Sequence, residues 1–163
     1  MRNLFPGWRR FAACHRSASS SSPAAVYEGL RITRIETFQA DLPLHEGRYR
    51  WAGGKYVDVF DTTVVKVSTN DPNITGYGEN CPLGSNYLPM FAAGTRAGIE
   101  EMARHLVGAD PTKLSDINRR MDWLLTGSPN AKSAVDMACW DILGSAGYYL
   151  GTIWVACTIM ARA

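Results

Sequence analysis

The run Ala131 to Gly144, AKSAVDMACWDILG, constrains the fold of this chain more than any other stretch. Ala131, Ala134, Val135, Ala138 and Ile142 recur at helical spacing, so they share one face of an α-helix. Most of them are small, and small side chains let a helix axis come close to its neighbour. A tight contact along this seam is therefore expected. Asp136 and Asp141 are five apart and do not share a face as a chemical pair would, so both are read as structural.

Two further helices precede this one. Ala92, Thr95, Ile99, Met102 and Leu106 mark a buried stripe, with Arg96, Glu100, Glu101 and Arg104 on the wet side and Gly108 closing the helix as its C′ residue. Asp110-Pro111 reads as an N-cap followed by proline at the first helical position, opening a helix through Leu114, Ile117, Met121 and Leu124. Ser128-Pro129 repeats that device for the third helix.

Before Leu88 the period is two. Apolar residues at Leu30, Ile32, Phe38, Ala40 and Leu42 predict a long strand, with a bulge in its middle where the pattern breaks near Arg34 and Ile35. Pro43 stops it, and a polar, aromatic, glycine-containing loop runs from Leu44 to Tyr56. Val57, Val59, Thr63, Val65 and Val67 then predict a second strand with one apolar face, its β-branched density favouring strand over helix. Asn70 to Asn73 is a turn by composition, Ile74 to Glu79 returns as a third strand, and a second loop spans Asn80 to Tyr87. Strands followed by helices predict an α+β fold, a three-stranded antiparallel meander with three helices on one sheet face.

At 163 residues and 46% hydrophobic the chain can bury a core in one domain, but it is too short for this domain plus a full α/β barrel. Residues 1–27 carry arginines and a serine run with no acid before Glu28, the composition of a mitochondrial transit peptide; a disordered basic tail on a cytoplasmic chain has the same composition. Setting aside Arg2, Arg9, Arg10 and Arg16 leaves 13 basic against 15 acidic residues, which argues against a nucleic-acid surface. Cys14, Cys81, Cys139 and Cys157 are scattered without C-x-x-C spacing, so neither a disulfide framework nor a zinc site is indicated. Asn73-Ile74-Thr75 fits the glycosylation pattern but reads as a chance match in a turn. Ile142 to Ala161 lacks charge over a membrane-spanning length, yet its glycines, serine and threonines weigh against a span.

The order of elements, Gly76-Tyr77-Gly78-Glu79 and the signature Ala-x-Ser-Ala-Val-Asp-x-Ala-x-Trp-Asp-Ile-x-Gly together resemble the N-terminal capping domain of the mandelate racemase/muconate lactonizing branch of the enolase superfamily. The loop from Leu42 to Tyr56 is similar to that of members acting on proline-like amino acids, the hydroxyproline-betaine epimerases and cis-3-hydroxyproline dehydratases. This resemblance implies magnesium-assisted removal of the proton α to a carboxylate, with the lysine or histidine base and the metal ligands on a barrel domain. It also implies that this chain carries no catalytic residue, no metal ligand and no cofactor of its own. Its two loops would cover the barrel mouth and shape substrate choice, in a family that is usually homo-oligomeric.

Within that resemblance Trp51, Tyr56, Lys55 and His45 are the substrate-facing candidates. An aromatic face over a desolvated ring nitrogen cation is worth about 1–2 kcal/mol, and packing of the loop onto the sheet is the competing role for either ring. His45 also reads as an ordinary loop histidine, and Glu79 as pairing with a neighbour.

Past Gly144 the family continues with a basic residue, Gly-x-Pro and Leu-Leu-Gly-Gly, whereas this chain has Ser145-Ala146-Gly147-Tyr148. The expectation is a capping domain over residues 28–146, a non-family tail over 147–163, and a truncated product inactive alone. A non-catalytic interaction module or a weakly tail-anchored mitochondrial protein is the alternative. Without a barrel, the Ala134/Val135/Ala138 seam is expected to lie partly uncovered.

Overall fold

The computed structural model describes residues 29–84, 87 and 89–146. The transit peptide expected over 1–27 and the non-family tail expected over 147–163, including most of the uncharged run, lie outside the described residues. No helix among the described residues is long and apolar enough to cross a membrane.

Strand β1 (Ile32–Pro43) is followed by a small hairpin of β2 (Tyr49–Arg50) and β3 (Tyr56–Val57), then β4 (Val59–Thr69) and β5 (Thr75–Asn80). Helices α1 (Ala92–Leu106), α2 (Leu114–Leu124) and α3 (Pro129–Ser145) follow. The main sheet has the order β1-β4-β5 with both pairings antiparallel, the expected meander, and the hairpin stands as its own two-stranded ribbon.

Alternation explains the sheet. Thr63, Val65, Val67 and Thr69 of β4 are buried, and Val65 and Val67 join Ile99, Met102, Leu106, Ile117, Met121 and the α3 seam in one core. The break in the β1 pattern is a register shift between Ile32 and Arg34, at the start of the strand rather than its middle. There Ile32 donates to the Ala109 carbonyl at 2.9 Å and accepts from the Gly108 N–H at 2.8 Å, tying the end of α1 to the sheet edge. Gly108 holds the left-handed conformation expected of a C′ residue, with φ +86°.

Two expectations change. Val57 and Val59 do not extend the buried face of β4, because Val57 belongs to β3 and Val59 is exposed; Asp58 between them is held by Arg48. Helix α2 starts at Leu114, not at Pro111. The Asp110 carboxylate accepts from the Thr112 N–H at 3.0 Å and its hydroxyl at 2.7 Å, so the capping signal closes a turn ahead of the helix. Ser128 does sit at the N-cap of α3 with Pro129 behind it, but in a left-handed conformation and without a side-chain cap bond.

The seam is the largest correction. Ala134, Val135 and Ala138 are fully buried, not partly uncovered, because α3 lies on β5 within the domain itself. Gly76 and Gly78 make this approach possible: a Cβ built on either would stand 2.0 Å from the carbonyl oxygen of Ala138 or Ala134 respectively. Asp141 fastens the pair by accepting the Tyr77 N–H at 2.9 Å. Desolvation pushes the Asp141 carboxyl up from its ordinary range, against the opposing effect of that hydrogen bond. Asp141→Ala should leave the Tyr77 N–H unpaired and lower stability by about 1–3 kcal/mol, read as a shift in urea midpoint, while Asp141→Asn keeps an acceptor and costs less.

Candidate functional site

Glycine and a paired charge shape the hairpin. Gly53 and Gly54, with φ +78° and +72°, carry the chain through a short 3₁₀ turn that other residues would strain. The Trp51 N–H donates to the Lys55 carbonyl at 3.1 Å across it. At the open end, Arg48 donates two bonds to Asp58, Nε to Oδ1 at 2.6 Å and Nη2 to Oδ2 at 2.8 Å. The same guanidinium lies over the Tyr56 ring, 3.6 Å from its centroid. The Asp58 hydrogen bond raises the Arg48 pKa further, so this cation is permanent.

Trp51 joins the two loops. Its ring is 6.1 Å from Tyr49 on the same hairpin and 5.7 Å from Tyr87, edge to face, in the loop after β5. Its Nε1 is buried and has no hydrogen-bond partner among the described residues.

Of the sequence candidates, Trp51 is half-buried, while Tyr56, Lys55 and His45 are exposed on the same loop. Tyr56 already has one ring face covered by Arg48, so the cation expected there is, in this chain, its own guanidinium. Arg48, Tyr49 and Tyr87 were not singled out from sequence. The available signal was Arg48 and Asp58, opposite charges bracketing a glycine-rich hairpin.

The sheet end below the loops is polar. Asp41 and Asp61 face each other across β1 and β4, a like-charge pair that would repel. Arg96 relieves it, donating from Nη1 and Nη2 to Asp61 at 2.8 and 3.1 Å and from Nη1 to the Thr63 hydroxyl at 3.2 Å. Arg96 therefore belongs to a side-chain network and not to the wet face assigned from periodicity. Glu79 pairs as expected, accepting from the Thr62 hydroxyl at 2.7 Å, and Asp136 accepts from Asn118 at 2.7 Å. Neither described cysteine is an activated nucleophile: burial raises the Cys81 thiol and pushes Cys139 up to about 12.

Among the described residues no three His, Cys, Asp or Glu side chains gather as metal ligands do. The carboxylates of Asp61, Asp136 and Asp141 are each taken by a donor of the fold. A divalent cation needs several oxygen ligands at once, so these residues do not fit a magnesium ion.

Comparison with known proteins agrees with this geometry. Residues 57–148 match the family described as mandelate racemase / muconate lactonizing enzyme, N-terminal domain. The cis-3-hydroxy-L-proline dehydratase of Roseibium aggregatum is 55% identical over 117 residues, covering 72% of this chain and 32% of the dehydratase. A hydrophobic dipeptide epimerase of Enterococcus faecalis is 32% identical over 88 residues, 54% of this chain and 24% of the epimerase. The crystal structure of an enolase-superfamily member from Roseovarius nubinhibens, complexed with magnesium, superposes with a TM-score of 0.65 at 47% identity, covering 72% of this chain and 31% of that one. The chain thus spans about a third or less of the length of these relatives. With the family match over more than half its residues and the meander-plus-three-helix fold in place, the chain belongs to the N-terminal domain family of the mandelate racemase and muconate lactonizing enzymes, within the enolase superfamily.

Proposed function

We propose that this chain is the substrate-recognising cap of a magnesium-dependent enzyme that removes the α-proton of a proline-like amino acid, with dehydration of a 3-hydroxyproline as the reaction. The observation that carries the reading is the 55% identity to a cis-3-hydroxy-L-proline dehydratase over 117 residues. Support also comes from the hairpin, which offers the ingredients for a small zwitterion: the exposed Lys55 and His45 and an aromatic group around Trp51. The metal, its ligands and the base belong to a barrel domain in this reading, since the described residues hold no metal-ligand group. What this chain contributes is shape, exclusion of water and orientation of the substrate.

In a protein joining this cap to a barrel, Trp51→Leu should raise KM for cis-3-hydroxy-L-proline about tenfold while kcat falls less, the loss of one aromatic contact. An unchanged KM in a folded variant would remove Trp51 from the site. Ala134, Val135 and Ala138 are buried on β5, so a non-catalytic interaction module, the alternative reading, would use another face of the domain.

A further inference from the structure

The hairpin of β2 and β3 stands apart from the main sheet as a ribbon of two residue pairs, Tyr49 with Val57 and Arg50 with Tyr56. A two-stranded ribbon that short is marginal in water and needs side chains to hold it. It leaves the main sheet through two joints. On the first arm the chain turns at Gly47, whose N–H donates to the Leu44 carbonyl at 3.3 Å and whose φ is +88°. On the second arm the joint is one residue, Asp58, between the end of β3 and the start of β4. Asp58 serves both sides of that joint: its carbonyl accepts from the Leu44 N–H at 3.1 Å, and its carboxylate accepts both Arg48 bonds.

Arg48 is thus bonded across the mouth of the ribbon. An exposed ion pair ordinarily adds little, and the Arg48 and Asp58 side chains are 38% and 46% exposed. This pair differs in its geometry: two N–H···O bonds fix the guanidinium plane, and the same group lies over the Tyr56 ring on the opposite strand. We propose that Arg48 is a positioning residue, a latch that shuts the ribbon at its joint with the sheet and so fixes where Trp51 stands. Trp51 follows β2 directly and its N–H bonds the Lys55 carbonyl across the turn, so a ribbon open at Arg48 loosens Trp51 with it. The role in recognition rests on the substrate reading of the hairpin; the latch itself does not.

Nitrogen-15 relaxation of the 163-residue chain tests the latch. The Arg50, Trp51 and Tyr56 amides should show order parameters of about 0.85, and Arg48→Met or Asp58→Ala should each lower them below about 0.6 while the β4 amides stay rigid. The two changes together should do no more than either alone, because they break one interaction. Unchanged order parameters, or effects that add, would overturn the latch. In a protein joining this cap to a barrel, Arg48→Met should raise KM for cis-3-hydroxy-L-proline about fivefold while kcat falls less. It should add nothing once Trp51→Leu is present, since Arg48 acts through Trp51. A loosened ribbon with unchanged KM would overturn the role in recognition.

Discussion

Gly78→Ala is expected to cost about 3 kcal/mol or more and to leave much of the chain unfolded at room temperature. The methyl group would stand 2.0 Å from the Ala134 carbonyl oxygen and 3.0 Å from the backbone of Ala134 and Ala138. Those are backbone atoms of a helix, so no rotamer change relieves the clash and α3 as a whole must lift from β5. Lifting α3 stretches the Asp141 to Tyr77 hydrogen bond and opens the core around Val135 and Ile142. Gly76→Ala meets the Ala138 oxygen at 2.0 Å and the Ile142 side chain at 2.6 Å, and should behave alike. Gly47→Ala is the control: nothing lies within 4 Å of its Cβ position, so only the strain of φ +88° remains, about 1 kcal/mol. Circular dichroism with urea titration separates the outcomes.

Alkaline pH should destabilise the domain through Cys139. Burial, with a smaller contribution from the Asp136 charge, pushes this thiol from its ordinary 9.0 up to about 12. Above the ordinary value an unfolded chain releases the thiol proton while the folded chain keeps it, so the native state binds more protons. Stability contributed by Cys139 is therefore complete below 9.0 and is lost as pH climbs toward about 12. The slope is about 1.4 kcal/mol per pH unit, which amounts to about 4 kcal/mol across the window. Cys139→Ala costs packing at neutral pH but should flatten the alkaline slope by that amount. Equal slopes for the two proteins would show that the thiol is not held in its buried, protonated form.

Most of the fold was legible because its elements announce themselves locally. The 3–4 spacing of Ala92, Thr95, Ile99, Met102 and Leu106 needs no tertiary knowledge, and all five are buried. Errors arose where a local signal had a second use. Asp110 has the chemistry of a cap, and a turn used it first. The α3 seam was recognisable as a close-packing surface, but a small-residue stripe does not say what it meets. The answer stood in the alternation Gly76-x-Gly78, which strips one face of β5 down to backbone. At the hairpin the sequence offered Trp51 and Tyr56 but not their partners. Arg48 over Tyr56 and Tyr87 against Trp51 depend on how two loops meet, which periodicity does not encode.

The central claim is that this chain recognises a substrate on which another domain acts. The most direct measurement is turnover of cis-3-hydroxy-L-proline by a fusion of residues 29–146 to the remainder of the Roseibium aggregatum dehydratase, alongside the 163-residue chain alone with magnesium. The fusion should dehydrate it with kcat/KM within about tenfold of the parent enzyme, while the chain alone gives no turnover. A folded fusion that leaves the substrate untouched, or turnover by the chain alone, would contradict the account.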